Sequence, residues 1–300
     1  MDTFLTLKQL QGLLKQNNIF PRKELGQNFL IDRNIRDKIL SFANITKDDI
    51  FVEIGAGLGA LTGSLVEKAG FVYAFEKDRK IADILKKRFE GISNIYIEEK
   101  DFLEFDWDSL MFKNRIKIIG NLPYYIASPI LFKLLKFKQF WEMAVVMIPE
   151  EVATKIVAKT GDKSFGLMSV VFSLLTSCSI CYRIPASVFY PEPEIKSVVM
   201  KITPEKKSEI EKINQKVLWS ILPGLFVQRR KNILNVLSNS FKIDKNTVLS
   251  ILEKIQIEPS LRSHQLKLDQ VIKIAEQIAK MRESEKFNLT ALEKKDKIEI

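Results

Sequence analysis

A chain of 300 residues, 46% hydrophobic and 28% charged, can bury one large core or two ordinary ones. Its net charge of +10 favours an anionic partner, nucleic acid or a membrane surface. One histidine, His264, and two cysteines, Cys178 and Cys181, give little support to a Ser-His-Asp or Cys-His mechanism, and one Cys-x-x-Cys without a second pair makes no zinc site.

In chain order, residues 4–18 place Leu7, Leu10 and Leu14 on one helical face, a docking helix within 1–20. Pro21 to Asn34 (PRKELGQNFLIDRN) starts basic and runs through Gln27, Asn28, Phe29 and Leu30 into a helix over 33–42. A strand at Ile50–Ile54 then meets Gly55, Gly57 and Gly59, and a helix follows with Leu61, Leu65 and Val66 inward and Gly70 at its end. Glycines there allow a sharp turn and close approach of a ligand. Gly55-x-Gly57-x-x-Ala60 tolerates a dinucleotide. The Glu53-x-Gly55-x-Gly57-x-Gly59 form suits S-adenosylmethionine better, because that cofactor has no pyrophosphate and its amino and sulfonium groups are cationic.

The next strand, 71–75, ends at Glu76, 21 positions beyond Gly55, where a carboxylate can accept both ribose hydroxyls. Asp78 caps the following helix. A third strand, 94–99, leads to Asp101 and Phe102, an acid for an adenine amino group beside an apolar cover, although Asp101 also suits a turn. The stretch from Lys117 to Pro129 (KIIGNLPYYIASP) is strand, polar-aromatic loop and helix, with Ser128 as cap and Pro129 opening the helix. It puts Asn121 at the carboxyl end of a strand, where open α/β sheets bind ligands. The Asn121 carbonyl and a loop main-chain carbonyl can take the two hydrogens of an adenine N6, and Tyr124 can stack on the base.

A fifth strand spans 143–148, and strands near 179–184 and 197–202 would close the sheet. The uncharged run from Ser164 to Tyr182 carries Ser169, Ser173, Thr176, Ser177 and Ser179, and reads as a buried helix and strand rather than a membrane span. With no signal peptide apparent, a cytoplasmic protein with reduced thiols is expected. The loop 159–166 reads as mobile. Prolines 185, 191 and 193 argue against regular structure in 185–197, and Phe189 there offers an exposed aromatic, either the second jaw of a base clamp or a hydrophobic plug. After Thr203-Pro204 the pattern is helical at 205–221, 225–239, 245–255 and 269–282. Arg229, Arg230 and Lys231 bunch as a phosphate contact or a solvated helix face. The domains are therefore 1–20, 21–203, 204–283 and a charged tail at 284–300.

GQNFL, EIGAGLGALT, Glu76, GNLPYYI, the F-x-P-x-P-x-x-x-S pattern from Phe189 to Ser197, and VQRRK occur in one order. As a set they resemble the small-subunit ribosomal RNA adenine-N6,N6-dimethyltransferases, the kasugamycin-sensitivity family. The resemblance covers Pro21 to about residue 280. It implies a Rossmann-like methyltransferase sheet with helices on both faces and a small C-terminal helical domain that binds RNA. It implies S-adenosylmethionine as cofactor and no metal. The reaction implied is dimethylation of two adjacent adenines in the 3′-terminal hairpin loop of 16S rRNA, by a monomer acting on the immature small subunit. Cofactor contacts fall on Asn28, Leu30, Gly55, Glu76, Asp101 and Asn121. The catalytic platform falls on Asn121, Leu122, Pro123 and Tyr124, and substrate contacts on Tyr124, Phe189, Arg229, Arg230 and Lys231. Ala56, Tyr125, Pro149 and Lys196 depart from the family's frequent residues. A large-subunit adenine methyltransferase of the macrolide-resistance type, or a non-catalytic RNA-binding assembly factor, are the alternatives.

Overall fold

A computed structural model describes residues 4–22, 26–107, 116–205 and 215–284. The chain divides into two compact units, one of residues 1–153 with 177–204, the other of residues 154–176 with 205–300. The expected tail lies almost wholly outside the described residues.

The first unit is built on a seven-stranded sheet. Its strands are β2 (Ile50–Ile54), β3 (Phe71–Glu76), β4 (Ile95–Glu99), β5 (Ile116–Asn121), β6 (Trp141–Pro149), β7 (Thr176–Ile184) and β9 (Ser197–Pro204), in the order β4-β3-β2-β5-β6-β9-β7. The run from β4 to β6 is parallel, and β9 joins β6 antiparallel. The inner strands are apolar almost without alternation: Phe51, Val52, Ile118, Ile119, Val145 and Val146 are all buried. That is the mark of strands covered on both faces. Gly120 is required at the centre, because a Cβ there would sit 2.2 Å from the Ile54 carbonyl oxygen.

Helices flank these strands. Helix α1 (Leu7–Gln16) opens with a reciprocal Thr6–Gln9 capping box and buries Leu10 and Leu14 against Ile19, Phe29, Leu58, Ile81 and Ile84. Leu7, expected on the same face, is 41% exposed, since it falls at the first helical position ahead of the docked turns. Helices α2 (Arg33–Ser41), α3 (Thr62–Lys68), α4 (Arg79–Arg88) and α5 (Ala127–Lys136) follow; Asp78 caps α4 as expected, through Oδ1 and the Ile81 N–H at 3.2 Å. Ser128 does not cap α5: a 3-10 turn at Tyr124–Ile126 leads directly into that helix, so Ser128 is already inside it.

A second, two-stranded sheet pairs β1 (Phe29–Leu30) with β8 (Phe189–Tyr190), Leu30 opposite Phe189 and Phe29 opposite Tyr190. The prolines at 185, 191 and 193 do not abolish regular structure, because Phe189 and Tyr190 between them keep their N–H groups. Phe189 is only 2% exposed and belongs to a core cluster with Leu30, Ile35 and Ile39. Of the two readings of Phe189, clamp jaw or hydrophobic plug, its burial fits the plug.

The second unit comprises α7 (Leu167–Leu175) and helices α8 (Gln215–Phe226), α9 (Ile233–Phe241), α10 (Lys245–Lys254) and α11 (Leu268–Ser284), α6 (Glu150–Val157) leading into it. Its core holds Leu218, Leu222, Val236, Leu252, Ile274 and Ile278. Helix α8 runs through Pro223 to Phe226, so the break falls at 227–232 rather than before 225, and Arg229, Arg230 and Lys231 occupy a turn. The Arg229 guanidinium donates to the carbonyls of Lys163 and, at 2.8 Å, Phe165. The Gly161 N–H donates to the His264 carbonyl at 2.9 Å and the Thr160 hydroxyl to that of Leu266. The loop 159–166, expected to be mobile, is thus tied down by side chains and main chain of the same unit.

Candidate active site

The carboxyl ends of β2, β3 and β5, the loop after β4, and the strand β1 enclose a cavity of about 380 Å³, within the usual range for small-ligand sites. Asn28, Leu30, Gly55, Glu76, Asp101 and Asn121 all line it. They come from five separate stretches of chain, and every cofactor contact expected from the sequence is among them.

Gly55 turns the chain after β2 with φ +71°. A Cβ there would lie 2.8 Å from the Asn121 main-chain oxygen, so the turn and the platform touch only because this residue has no side chain. Glu76 ends β3 with each carboxylate oxygen accepting one main-chain N–H, from Gly57 and from Asp78, both at 2.9 Å. These bonds aim the carboxylate and leave lone pairs for hydroxyl donors. Burial pushes its carboxyl above the ordinary range despite the two bonds.

Glu53, one residue before the end of β2, is 1% exposed. Burial raises its carboxyl to about 8, the Thr62 hydroxyl bonding Oε2 at 2.7 Å opposes the rise, and the Glu76 charge adds to it. Without a cation nearby it is substantially protonated near neutral pH. Asp101 accepts the Leu103 N–H at 2.9 Å and Lys77 Nζ at 2.7 Å. Burial alone would raise it, but these two partners together hold it below the usual carboxylate range. It is a turn acid and a cavity-lining acid at once.

Asn121 ends β5. Its Nδ2 donates to the Asn28 main-chain carbonyl at 2.9 Å. That carbonyl can only accept, so the amide nitrogen must face it and Oδ1 must face the other way. Oδ1 is buried and has no hydrogen-bond partner among the described residues. A buried acceptor left unpaired costs about 1–3 kcal/mol, which a ligand N–H recovers. Leu122 is fully buried, with its N–H on the Met147 carbonyl at 3.1 Å, and Pro123 lines the cavity. Tyr124 is not among the lining residues; its hydroxyl bonds the Ser197 hydroxyl, and burial raises its phenol.

The acid at the β3 end, the glycine turn and the unpaired acceptor fit the donors and acceptors of an adenosyl cofactor and an amine. Sequence reasoning missed Thr62, Lys77, Tyr125 and Ser197. Tyr125 lines the cavity and is 47% exposed. Of these, Ser197 carried a signal, as the last residue of the F-x-P-x-P-x-x-x-S pattern. Phe189 and Arg229 to Lys231 do not line this cavity. Among the described residues no cluster of three metal-ligating side chains occurs, and no helix is long and apolar enough to cross a membrane.

A parallel sheet with an antiparallel β9, a glycine turn after β2 and an acid ending β3 define a Rossmann-like methyltransferase. The profile of ribosomal RNA adenine dimethylases matches residues 19–280, and the chain belongs to that family of S-adenosylmethionine-dependent enzymes. It is 35% identical over 266 residues to the Ribosomal RNA small subunit methyltransferase A of Halothermothrix orenii, covering 86% of this chain and 88% of that protein. To the protein of the same name in Moorella thermoacetica it is 34% identical over 284 residues, covering 92% and 98%. Among solved structures it is similar to a dimethyladenosine transferase from Plasmodium falciparum, with TM-score 0.70, 27% identity, and 84% and 98% of the two chains covered. The 23S rRNA methyltransferase ErmE shares the fold at TM-score 0.64 and 23% identity, over 84% of this chain and all of that one.

Proposed function

We propose that the chain transfers methyl groups from S-adenosylmethionine to N6 of two adjacent adenines in the 3′-terminal hairpin loop of 16S rRNA, acting as a monomer on the immature small subunit. The observation that carries this reading is the buried, unpaired Oδ1 of Asn121, aimed by the bond from Nδ2 to the Asn28 carbonyl.

When bound, S-adenosylmethionine supplies an electrophilic methyl group on a sulfonium. Glu76 would hold the ribose hydroxyls, Asp101 the adenine amino group, and Asn28, Leu30 and Gly55 the walls. Glu53 is suited to the cationic amino-acid end, whose charge would offset the cost of ionising a buried carboxyl. Asn121 Oδ1 and the Leu122 carbonyl accept the two hydrogens of the target N6. That draws its lone pair out of conjugation with the ring and points it in one direction, a gain from positioning and fixed dipoles. Tyr124 gives the base a stacking face once it has left its stack in the loop, a move costing a few kcal/mol. The alkylated nitrogen sheds its proton readily, so no strong base is required. Phe189, buried in the core, is assigned no contact with the base; Arg230 and Lys231 are exposed and suited to phosphate.

Tritium from labelled S-adenosylmethionine, offered to small subunits lacking the modification with large subunits as control, tests the reading. Label in the small-subunit adenines alone is expected. Label in large subunits would move the assignment to the large-subunit enzymes, and cofactor binding without transfer would reduce the protein to an assembly factor.

A further inference from the structure

We propose that Ser197 is a positioning residue for methyl transfer, fixing the ring of Tyr124 by a hydroxyl–hydroxyl bond that ties the segment 189–197 to the platform. The inference rests on Tyr124 being the stacking face.

The strands bring the two residues together. Asn121 lies opposite Met147, Met147 opposite Val199, and Pro149 opposite Ser197. Because β9 runs antiparallel, its first residue, Ser197, arrives at the carboxyl edge of β5 and β6, where the platform stands. Ser197 is 2% exposed, and its hydroxyl bonds that of Tyr124, 73 positions away in sequence. With Ser197 buried and Tyr124 half-buried, the bond has less competition from water than one at the surface. The other end of Tyr124 is confined as well: a Cβ on Gly26 would lie 2.9 Å from the Tyr124 main-chain nitrogen. Held at the main chain and at the phenol oxygen, the ring keeps one axis and therefore one χ1 position beside the platform.

Ser197 is itself anchored. The carbonyl of Lys196 accepts the Glu150 N–H at 2.8 Å, and further back Tyr190 and Phe189 are paired with β1. A serine present only to satisfy a buried hydroxyl would contribute stability and nothing to the reaction. Here its partner is the platform itself, and the anchor sets where the ring stands relative to Asn121. A ring swung to another χ1 position would carry the stacked base away from the acceptor, and misplacement on the order of 1 Å costs about a hundredfold in rate.

The test compares Ser197→Ala, Tyr124→Phe, the double variant and Tyr124→Ala by tritium transfer to unmodified small subunits, with cofactor affinity by calorimetry. Stacking is read from the fluorescence of 2-aminopurine placed at the target position. Both single variants are expected to lower kcat about 10- to 100-fold, with cofactor Kd unchanged and weaker quenching of the probe. The double variant should be no slower than either single, because all three remove the same bond. Additive losses, or full kcat in Tyr124→Phe, would overturn the role of Ser197. Should Ser197→Ala unfold, Tyr124→Phe removes the bond without touching β9. Tyr124→Ala separates the two levels: if it is inactive while Tyr124→Phe is unimpaired, only the inference about Ser197 fails. If it transfers methyl normally, the stacking role fails and the inference with it.

Discussion

Asn28 and Asn121, 93 positions apart in sequence, are joined by one hydrogen bond of 2.9 Å from a side-chain nitrogen to a main-chain oxygen. Through it the segment before β1 orients the group on which the chemistry is assigned to depend. Removing the amide should therefore harm turnover far more than cofactor binding. Asn121→Ala is expected to lower methyl transfer by about 100- to 1,000-fold, the effect of losing one preorganised polar group. Cofactor binding should be weakened but present. Single-turnover transfer alongside calorimetric titration with S-adenosylmethionine checks both halves, and retained turnover would remove Asn121 from the mechanism.

Gly55→Ala combines φ +71° with a Cβ 2.8 Å from the Asn121 main-chain oxygen. Neither partner can give way, because both are backbone. The variant should lose about 1–3 kcal/mol of stability and should bind cofactor poorly even where folded. Thermal unfolding with and without S-adenosylmethionine would reveal the second effect as a lost ligand-induced shift.

Glu53 makes the protein's stability depend on pH in a direction opposite to a salt-bridged acid. Its carboxyl is raised to about 8 in the folded chain from an ordinary 4.5. Between those values the folded state holds a proton that the unfolded state has released, so stability falls as pH rises through this window. Glu53→Gln should flatten that fall and raise the Tm at pH 8 to 9. If a cationic group of the cofactor meets Glu53, binding near neutral pH should also release a proton, seen as a dependence of the calorimetric heat on buffer ionisation enthalpy. Absence of proton release would sever Glu53 from the cofactor.

Arg230 and Lys231 of the VQRRK turn should part company with Arg229, which is exposed like them but already engaged. Arg230→Ala and Lys231→Ala should each lower the salt slope of RNA binding by about 1. Arg229 already serves the carbonyls of Lys163 and Phe165. Its replacement by alanine should show chiefly as faster amide exchange across 159–166. An unchanged exchange pattern would count against that anchoring.

Residues whose place at the cavity depends on local spacing are legible in the sequence: Gly55 after an apolar strand, Glu76 at the next strand's end, Asn121 before Leu-Pro-Tyr. The bonds that aim them are not. Asn28 to Asn121 and Tyr124 to Ser197 depend on how distant strands align, and no short-range pattern encodes that alignment. The choice between jaw and plug for Phe189 stays open in the sequence for a related reason. Flanked by prolines the residue resembles an exposed loop aromatic, and only pairing with Leu30 turns it into the core. Arg229 was obscured because its partners are carbonyl groups, which every residue carries.

The helical unit draws on two lengths of chain, 154–176 and the stretch beyond 204, with β7 and β9 threaded between them. It cannot be lifted out as a cassette by cutting after Pro204. Such a cut would strand α7, whose Val170, Val171 and Leu174 are fully or almost fully buried, without the helices that complete its unit. An exchange of this unit between relatives must transplant both lengths together, or the recipient will carry an uncovered greasy helix and precipitate.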